Sequence, residues 1–360
     1  MISTRMVAVA LAAFLLNVLI TPIVLRLAHR HGWYDHLNAR KIHTVQTPRL
    51  GGVGIFLSVV VAAALGLAFL TRGAVGTAAG NGLWPPSSLL IVLAGLAVMH
   101  GLGLYDDFVN LRAPLKFVIQ VASAGLVALS GARLSILDLP WVGVISLPPG
   151  VSIVFTVIWI VSMANAVNLI DGADGLAGGV SLLAAAFMGI IALGQGGIVA
   201  AVIAFALLGA LAGFLVFNLP PAKTFMGDGG SLQLGFLLAV IPLLGLESGE
   251  PGMVPVALFP ILTLLYIPIV DTLLAILRRL KRGLPVHSAD REHIHHRLID
   301  RGIHGKRLLT VVYSTMAVLG ITAMTWYVVP HSLGGAIIAG VWVVALAVIL
   351  FLGTHAPPAT

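Results

Sequence analysis

A chain of 360 residues that is 59% hydrophobic and only 9% charged cannot cover a water-facing surface, because soluble domains carry roughly 25% charged residues. Twenty Lys and Arg against thirteen Asp and Glu give a formal charge of +7, yet no nucleic-acid motif accompanies that charge. The absence of Cys excludes disulfides and thiolate metal sites.

The apolar runs are long and do not alternate with polar residues, so they read as membrane helices and not as barrel strands. In chain order they cover about 6–27, 50–71, 87–105, 115–131, 151–168, 176–194, 198–217, 231–247, 253–275, 309–329 and 332–352. Pro242, Pro255, Pro260 and Pro268 fall within them, which transmembrane helices tolerate. The expected fold is all-α and polytopic, one integral membrane domain over 1–360 with about eleven transmembrane helices. With the N-terminus outside, one side's loops hold every Lys and Arg except Arg5, Arg72 and Arg133. The positive-inside rule makes that side, and the C-terminus, cytoplasmic. The first helix reads as an uncleaved anchor, since no A-x-A site closes it.

Polar residues gather in five cytoplasmic segments, 28–49, 105–116, 165–175, 218–230 and 276–308. Asp35, Asp106, Asp107, Asp171, Asp174, Asp228, Asp271, Asp290, Glu292 and Asp300 all fall on or near this face. Paired acids at helix ends on one side only ask for a chemical reason.

In YDDFVN, a helix continuing through the motif would put Asp106 and Asn110 on one face. Adjacent Asp106 and Asp107 repel, so a cation or a proton must resolve the pair; an ordinary polar helix end is the alternative. In NAVNLIDGADGLAGG, Asn165, Asn168 and Asp171 recur every three residues before two Asp-Gly pairs break the helix near Asp174. Intramembrane ionisable residues are functional candidates, although N-x-x-N can also join helices and DGADG can be a plain turn.

In KTFMGDGGS, Asp228 stands among glycines before a helix. A helix N-terminus suits phosphate, a lone carboxylate suits Mg²⁺, and a capped glycine turn is the plainer reading. No Walker A loop occurs. In DREHIHHRLIDRG, His293, His295 and His296 stand beside Arg291 and Arg297. Basic neighbours favour phosphate over Zn²⁺, with solvated surface the alternative. His100 reads as a core histidine, and RRLKR (278–282) as topology-setting. In KIHTVQTPRLGGVG, Lys41, His43 and Arg49 either clamp phosphate or mark sidedness beside the packing pair Gly51-Gly52. Acids for Mg²⁺ and cations for phosphate in a membrane scaffold point to phosphoryl transfer on a lipid.

Four of these motifs, YDDFVNLRAPLKFVIQ, NAVNLIDGADGLAGG, FMGDGGSLQLGF and DREHIHHRLIDRG, resemble in this order the polyprenyl-phosphate N-acetylhexosamine-1-phosphate transferases. The resemblance covers about residues 40–305. It implies Mg²⁺-dependent transfer of N-acetylhexosamine 1-phosphate from a UDP-sugar to undecaprenyl or decaprenyl phosphate, releasing UMP, at the cytoplasmic face of the bacterial inner membrane. Mn²⁺ is the substitute metal, and a homodimer the assembly to consider. The HIHH stretch is similar to the branch that uses UDP-N-acetylglucosamine for O-antigen, common antigen, teichoic acid or arabinogalactan linkage. The branch using UDP-N-acetylmuramoyl-pentapeptide has Phe-Glu where Arg297 and Leu298 stand here.

Carried over by motif, Asp228 resembles the principal Mg²⁺ ligand, with Asp171 close to the metal. Asp106 and Asp107 resemble the pair that handles metal or activates the lipid phosphate. Lys116 matches a phosphate contact; Asn168, Asp174 and Phe225 match the nucleotide pocket. His293, His295, His296 and Arg297 are expected on the sugar nucleotide, and Lys41, Asn110 and Asn165 complete the substrate-side candidates. Direct attack by the lipid phosphate and a two-step route through an aspartyl-phosphate both remain open. An ion-coupled transporter is the rival from another class, and a CDP-alcohol phosphotransferase is disfavoured because DGADGLAGG lacks that family's Ala-Arg.

Overall fold

The computed structural model describes residues 2–33, 47–74, 86–244, 256–285, 288 and 292–354. Its helices are α1 (Ile2–His31), α2 (Gly51–Ala74), α3 (Pro86–Val109), α4 (Ala113–Leu129), α5 (Pro149–Ile170), α6 (Leu176–Gly194), α7 (Ile198–Asn218) and α8 (Gly227–Val240). They continue with α9 (Leu258–Leu264), α10 (Tyr266–Lys281), α11 (Ile294–Ile299), α12 (Lys306–Met324) and α13 (His331–Thr354). The short strands β1 (Ile136–Leu139), β2 (Gly143–Ser146) and β3 (Val256–Ala257) pair in the order β2-β1-β3.

Among the described residues, nine helices are long and apolar enough to cross a bilayer, and α9 with α10 is a broken span or a re-entrant pair, bent by 78°. The bend corrects the single span expected at 253–275. The break falls three residues before Pro268, which has no N–H to return to the Leu264 carbonyl, whereas Pro22 lies inside the unbroken α1. The helix restarts at Tyr266, where a first-turn proline costs nothing, and runs on to Lys281.

Helix α4 is a shorter apolar helix of 17 residues that packs along α3. Ser123 donates to the Gly95 carbonyl, and the Ser88 hydroxyl near the start of α3 donates to Ser130 at the end of α4. The helix thus retraces α3 in reverse over about 26 Å at 1.5 Å per residue, close to the hydrocarbon thickness of about 30 Å. The protein is an all-α, multi-pass membrane protein.

Both ends of the layer can be traced. Trp33, just past α1, packs edge-on against Phe108 near the end of α3. His331, which opens α13, lies 3.4 Å from Asp138 of β1 at the other face. The last turns of α1, α3 and α5 and the first turns of α2, α4 and α8 therefore share one face, the one that carries the acids. The start of α1 lies on the opposite face, and the end of α13 on the acidic one.

Helix α8 is the centre of the bundle: its residues Gly229–Val240 are all buried, against α2, α3 and α5. Helices α1 and α13 are peripheral, and Val7, Leu11, Leu15, Leu19 and Ile23 of α1 are exposed at four-residue spacing as a lipid-facing stripe. Close approach of α3 to α8 depends on Gly103, where a Cβ would run into the Asp228 backbone. Replacing Gly103 with Ala should cost about 1–3 kcal/mol and lower the melting temperature of the purified protein by several degrees. Gly101→Ala, facing open space on the same helix, should leave it unchanged or slightly higher; equal effects would refute the contact.

Candidate active site

The first turn of any helix leaves backbone N–H groups without helical partners. In α8, Asp107 fills two of those positions: its oxygens accept the Asp228 N–H at 2.9 Å and the Gly229 N–H at 3.0 Å. The chain reaches this geometry through Gly227, whose φ of 70° suits glycine. The expectation that these amides wait for a phosphate is therefore corrected, because a carboxylate already sits at the positive end of the helix. The neighbouring N-terminus of α2 is held likewise, with Gly51 and Gly52 donating to the Phe225 and Met226 carbonyls at 2.9 and 3.0 Å. The Phe225 N–H returns to the Pro48 carbonyl, which ties the glycine pair to the FMGDGG turn.

Asp106 points elsewhere. It accepts the Leu111 N–H at 2.6 Å and the Lys116 ammonium at 2.6 Å, and Lys116 Nζ is also 3.6 Å from Asp228 Oδ2. The cation that the Asp106–Asp107 pair calls for is Lys116. Helix α3 stops at Val109 because Asn110 adopts the left-handed conformation, φ 52°, which Asn tolerates. Asn110 is exposed at this cap, so the shared helical face expected for Asp106 and Asn110 does not form.

The two asparagines of α5 part company. Asn165 donates to Gln120 Oε1 at 2.7 Å and to the Val161 carbonyl, joining α5 to α4. Asn168 donates to Ser231 Oγ at 2.8 Å and lies in hydrogen-bonding range of Asp228. Asp171 ends α5, and burial, followed by the Asp228 charge, pushes its carboxyl up to about 7, against the pull of Arg49. Asp174 accepts the Ala222 N–H at 2.9 Å, and the half-buried Phe225 stands just before α8.

The histidines arrive from α11. His295 is packed against Gly172 of the DGADG turn, where a Cβ would collide with its ring. Its Nε2 is buried without a hydrogen-bond partner, and burial, then His296, pushes the imidazole down to about 3, so it is neutral. The His296 ring lies tilted beside it, centroids 4.2 Å apart. His293 Nδ1 is 2.7 Å from Asp271 Oδ2. Arg297 reaches Glu292 at 3.4 Å, and the same carboxylate pairs with Arg278 and Arg282. Lys41 lies outside the described residues. His100 is the expected core histidine, bonded to the Gly229 carbonyl and stacked on Phe56.

The structure thus brings Asp106, Asp107, Lys116, Asn168, Asp171 and Asp228 together, and lays HIHH against the turn beside them. Arg49, named above as a candidate phosphate clamp, joins the site, as do Ser231, Asp271, Glu292 and Tyr313, which were not singled out as site residues. Asp271 had a signal in being a carboxylate within an apolar run. Tyr313, which donates to the Gly175 carbonyl at 2.7 Å, had none. Among the described residues no three His, Asp or Glu side chains converge as a closed metal cage. Mg²⁺ needs only one or two carboxylates plus substrate oxygens, and Asp171 and Asp228, which repel each other across the pocket, fit that demand.

The Asp171 shift has a measurable sign. Its folded value near 7 lies above the unfolded value of about 3.9, so its contribution to stability is complete below about pH 4 and is lost as pH rises through 7. Asp171→Asn removes that titration. In EDTA, the melting temperature of the variant relative to wild type should be higher at pH 8 than at pH 5; an unchanged difference would refute the shift.

Comparison with known proteins agrees with this architecture. Residues 89–246 match the family model described as Glycosyl transferase family 4. A protein of Bacillus subtilis named probable undecaprenyl-phosphate N-acetylglucosaminyl 1-phosphate transferase is 33% identical over 90% of this chain and 86% of its own. A decaprenyl-phosphate N-acetylglucosaminephosphotransferase of Mycobacterium tuberculosis is 34% identical over 92% and 87%. The undecaprenyl-phosphate alpha-N-acetylglucosaminyl 1-phosphate transferase of Escherichia coli K12 is 29% identical over 92% and 86%. Aligned to such relatives over nine-tenths of its length, the chain belongs to glycosyl transferase family 4, the polyprenyl-phosphate N-acetylhexosamine-1-phosphate transferases that its four motifs resemble.

Proposed function

We propose that this enzyme transfers N-acetylglucosamine 1-phosphate from UDP-N-acetylglucosamine to a polyprenyl phosphate and releases UMP. The relatives' names supply the acceptor and the transferred group. The observation that carries the reading is Lys116, held between Asp106 and Asp228 at the end of the membrane helices. An ammonium there can take a phosphate in place of a carboxylate without leaving its position. The acids stand at helix ends on one face, which disfavours a transporter with a midplane site. The concentration of Lys and Arg in the loops of that face supports a cytoplasmic site in the bacterial inner membrane.

Asp228 and Asp171 would hold Mg²⁺. When bound, the ion supplies charge neutralisation along the diphosphate. Lys116 orients the lipid phosphate, whose second pKa of about 6 leaves it largely dianionic. An oxygen of that phosphate attacks the β-phosphorus, the bond from that phosphorus to the bridging oxygen breaks, and UMP carries the bridging oxygen away. Asn168, fixed by Ser231, lies beside Asp228, and Phe225 offers a half-buried ring for the uracil. Asp106 and Asp107 each already accept two donors. A carboxylate so engaged is a poor nucleophile, which supports direct transfer over an aspartyl-phosphate.

Purified protein with Mg²⁺, undecaprenyl phosphate and radiolabelled UDP-N-acetylglucosamine should move label into lipid. EDTA should stop transfer, and Mg²⁺, or Mn²⁺ in its place, should restore it. Asp228→Asn should lose about a thousandfold in rate without a lower melting temperature. Transfer from a different UDP-sugar alone would overturn the donor, and no transfer from any donor would overturn the reading.

A further inference from the structure

One buried carboxylate outside the four motifs touches a residue of the site. Asp271 lies on α10, three residues past Pro268, and is 1% exposed. Its Oδ2 is 2.7 Å from His293 Nδ1, and its Oδ1 accepts the Ile294 N–H at 2.8 Å. An ionised carboxylate accepts on both oxygens and donates on neither, so with Asp271 as a carboxylate the proton in the 2.7 Å contact is carried by the imidazole Nδ1. The two bonds together fix where α11 begins and how the His293 ring is turned.

We infer that Asp271 is a positioning residue for the transfer reaction, holding His293 in its Nδ1–H form so that Nε2 is the nitrogen left for the substrate. The inference rests on the proposed role of HIHH in meeting the sugar nucleotide. The substitution Asp271→Asn isolates it. The Ile294 amide can only donate, so it retains the Asn oxygen and leaves the Asn NH₂ facing His293 Nδ1. That nitrogen must then accept, and the ring proton moves to Nε2. The seat of α11 survives while the tautomer inverts.

Two measurements decide it. In ¹⁵N-histidine-labelled wild-type protein, one Nδ1–H signal should disappear in His293→Gln, which assigns it; in Asp271→Asn the same signal should give way to an Nε2–H signal. Because a wrong tautomer costs orders of magnitude at a working imidazole, kcat of Asp271→Asn should fall at least on the order of 100-fold. Its melting temperature should match wild type, whereas Asp271→Ala, which also frees the α11 amide, should melt lower. A wild-type His293 protonated at Nε2 alone, or an Asp271→Asn enzyme with wild-type kcat, overturns the inference. If the wild-type protein transfers nothing, the functional reading fails by itself, and the nitrogen spectrum still decides whether Asp271 sets the tautomer.

Discussion

The carboxylate of Asp107 rests on the first turn of α8, accepting two amides that hydrocarbon would otherwise leave without partners. That contact sets the height of α3 against the most buried helix of the bundle, and other parts of the site follow from it. Asp106, one residue earlier, is turned toward the start of α4 and meets Lys116. Asp228, whose own amide is one of the two held, projects its side chain into the space between Lys116 and Asn168. A shift of α3 by one turn would undo both placements at once.

The charge balance around this contact is incomplete. Asp106, Asp107, Asp171 and Asp228 stand against the cations Arg49 and Lys116 among the described residues. A pocket short of positive charge at the end of membrane helices stores a cost that a divalent ion or a proton offsets. The histidine side differs: Glu292 is already shared among three arginines. The two walls therefore have opposite tendencies, one deficient in cations and the other rich in them, which suits a ligand carrying both a metal and phosphates.

Much of this was legible from residues alone, because one charge in an apolar run is a signal that needs no neighbour to interpret. The helices, the acidic face and the grouping of the motifs follow from that cost. What the sequence left open depends on contacts over long separations. Asn165 and Asn168 share a spacing, yet one clamps α4 and the other approaches Asp228. The two aspartates of YDDFVN look equivalent until α8 arrives from 121 residues away. The break at Leu265 was hidden because prolines are common in transmembrane helices, and only packing shows which of them ends one.

The DGADG turn is clamped from downstream, by His295 against Gly172 and by Tyr313 against Gly175 and Gly179. Both clamps lie far along the chain from the residues they hold. A nascent chain that stops short of Tyr313 carries every carboxylate of the site and lacks what closes the turn. The shape of the turn therefore depends on residues that follow every carboxylate of the site in the chain.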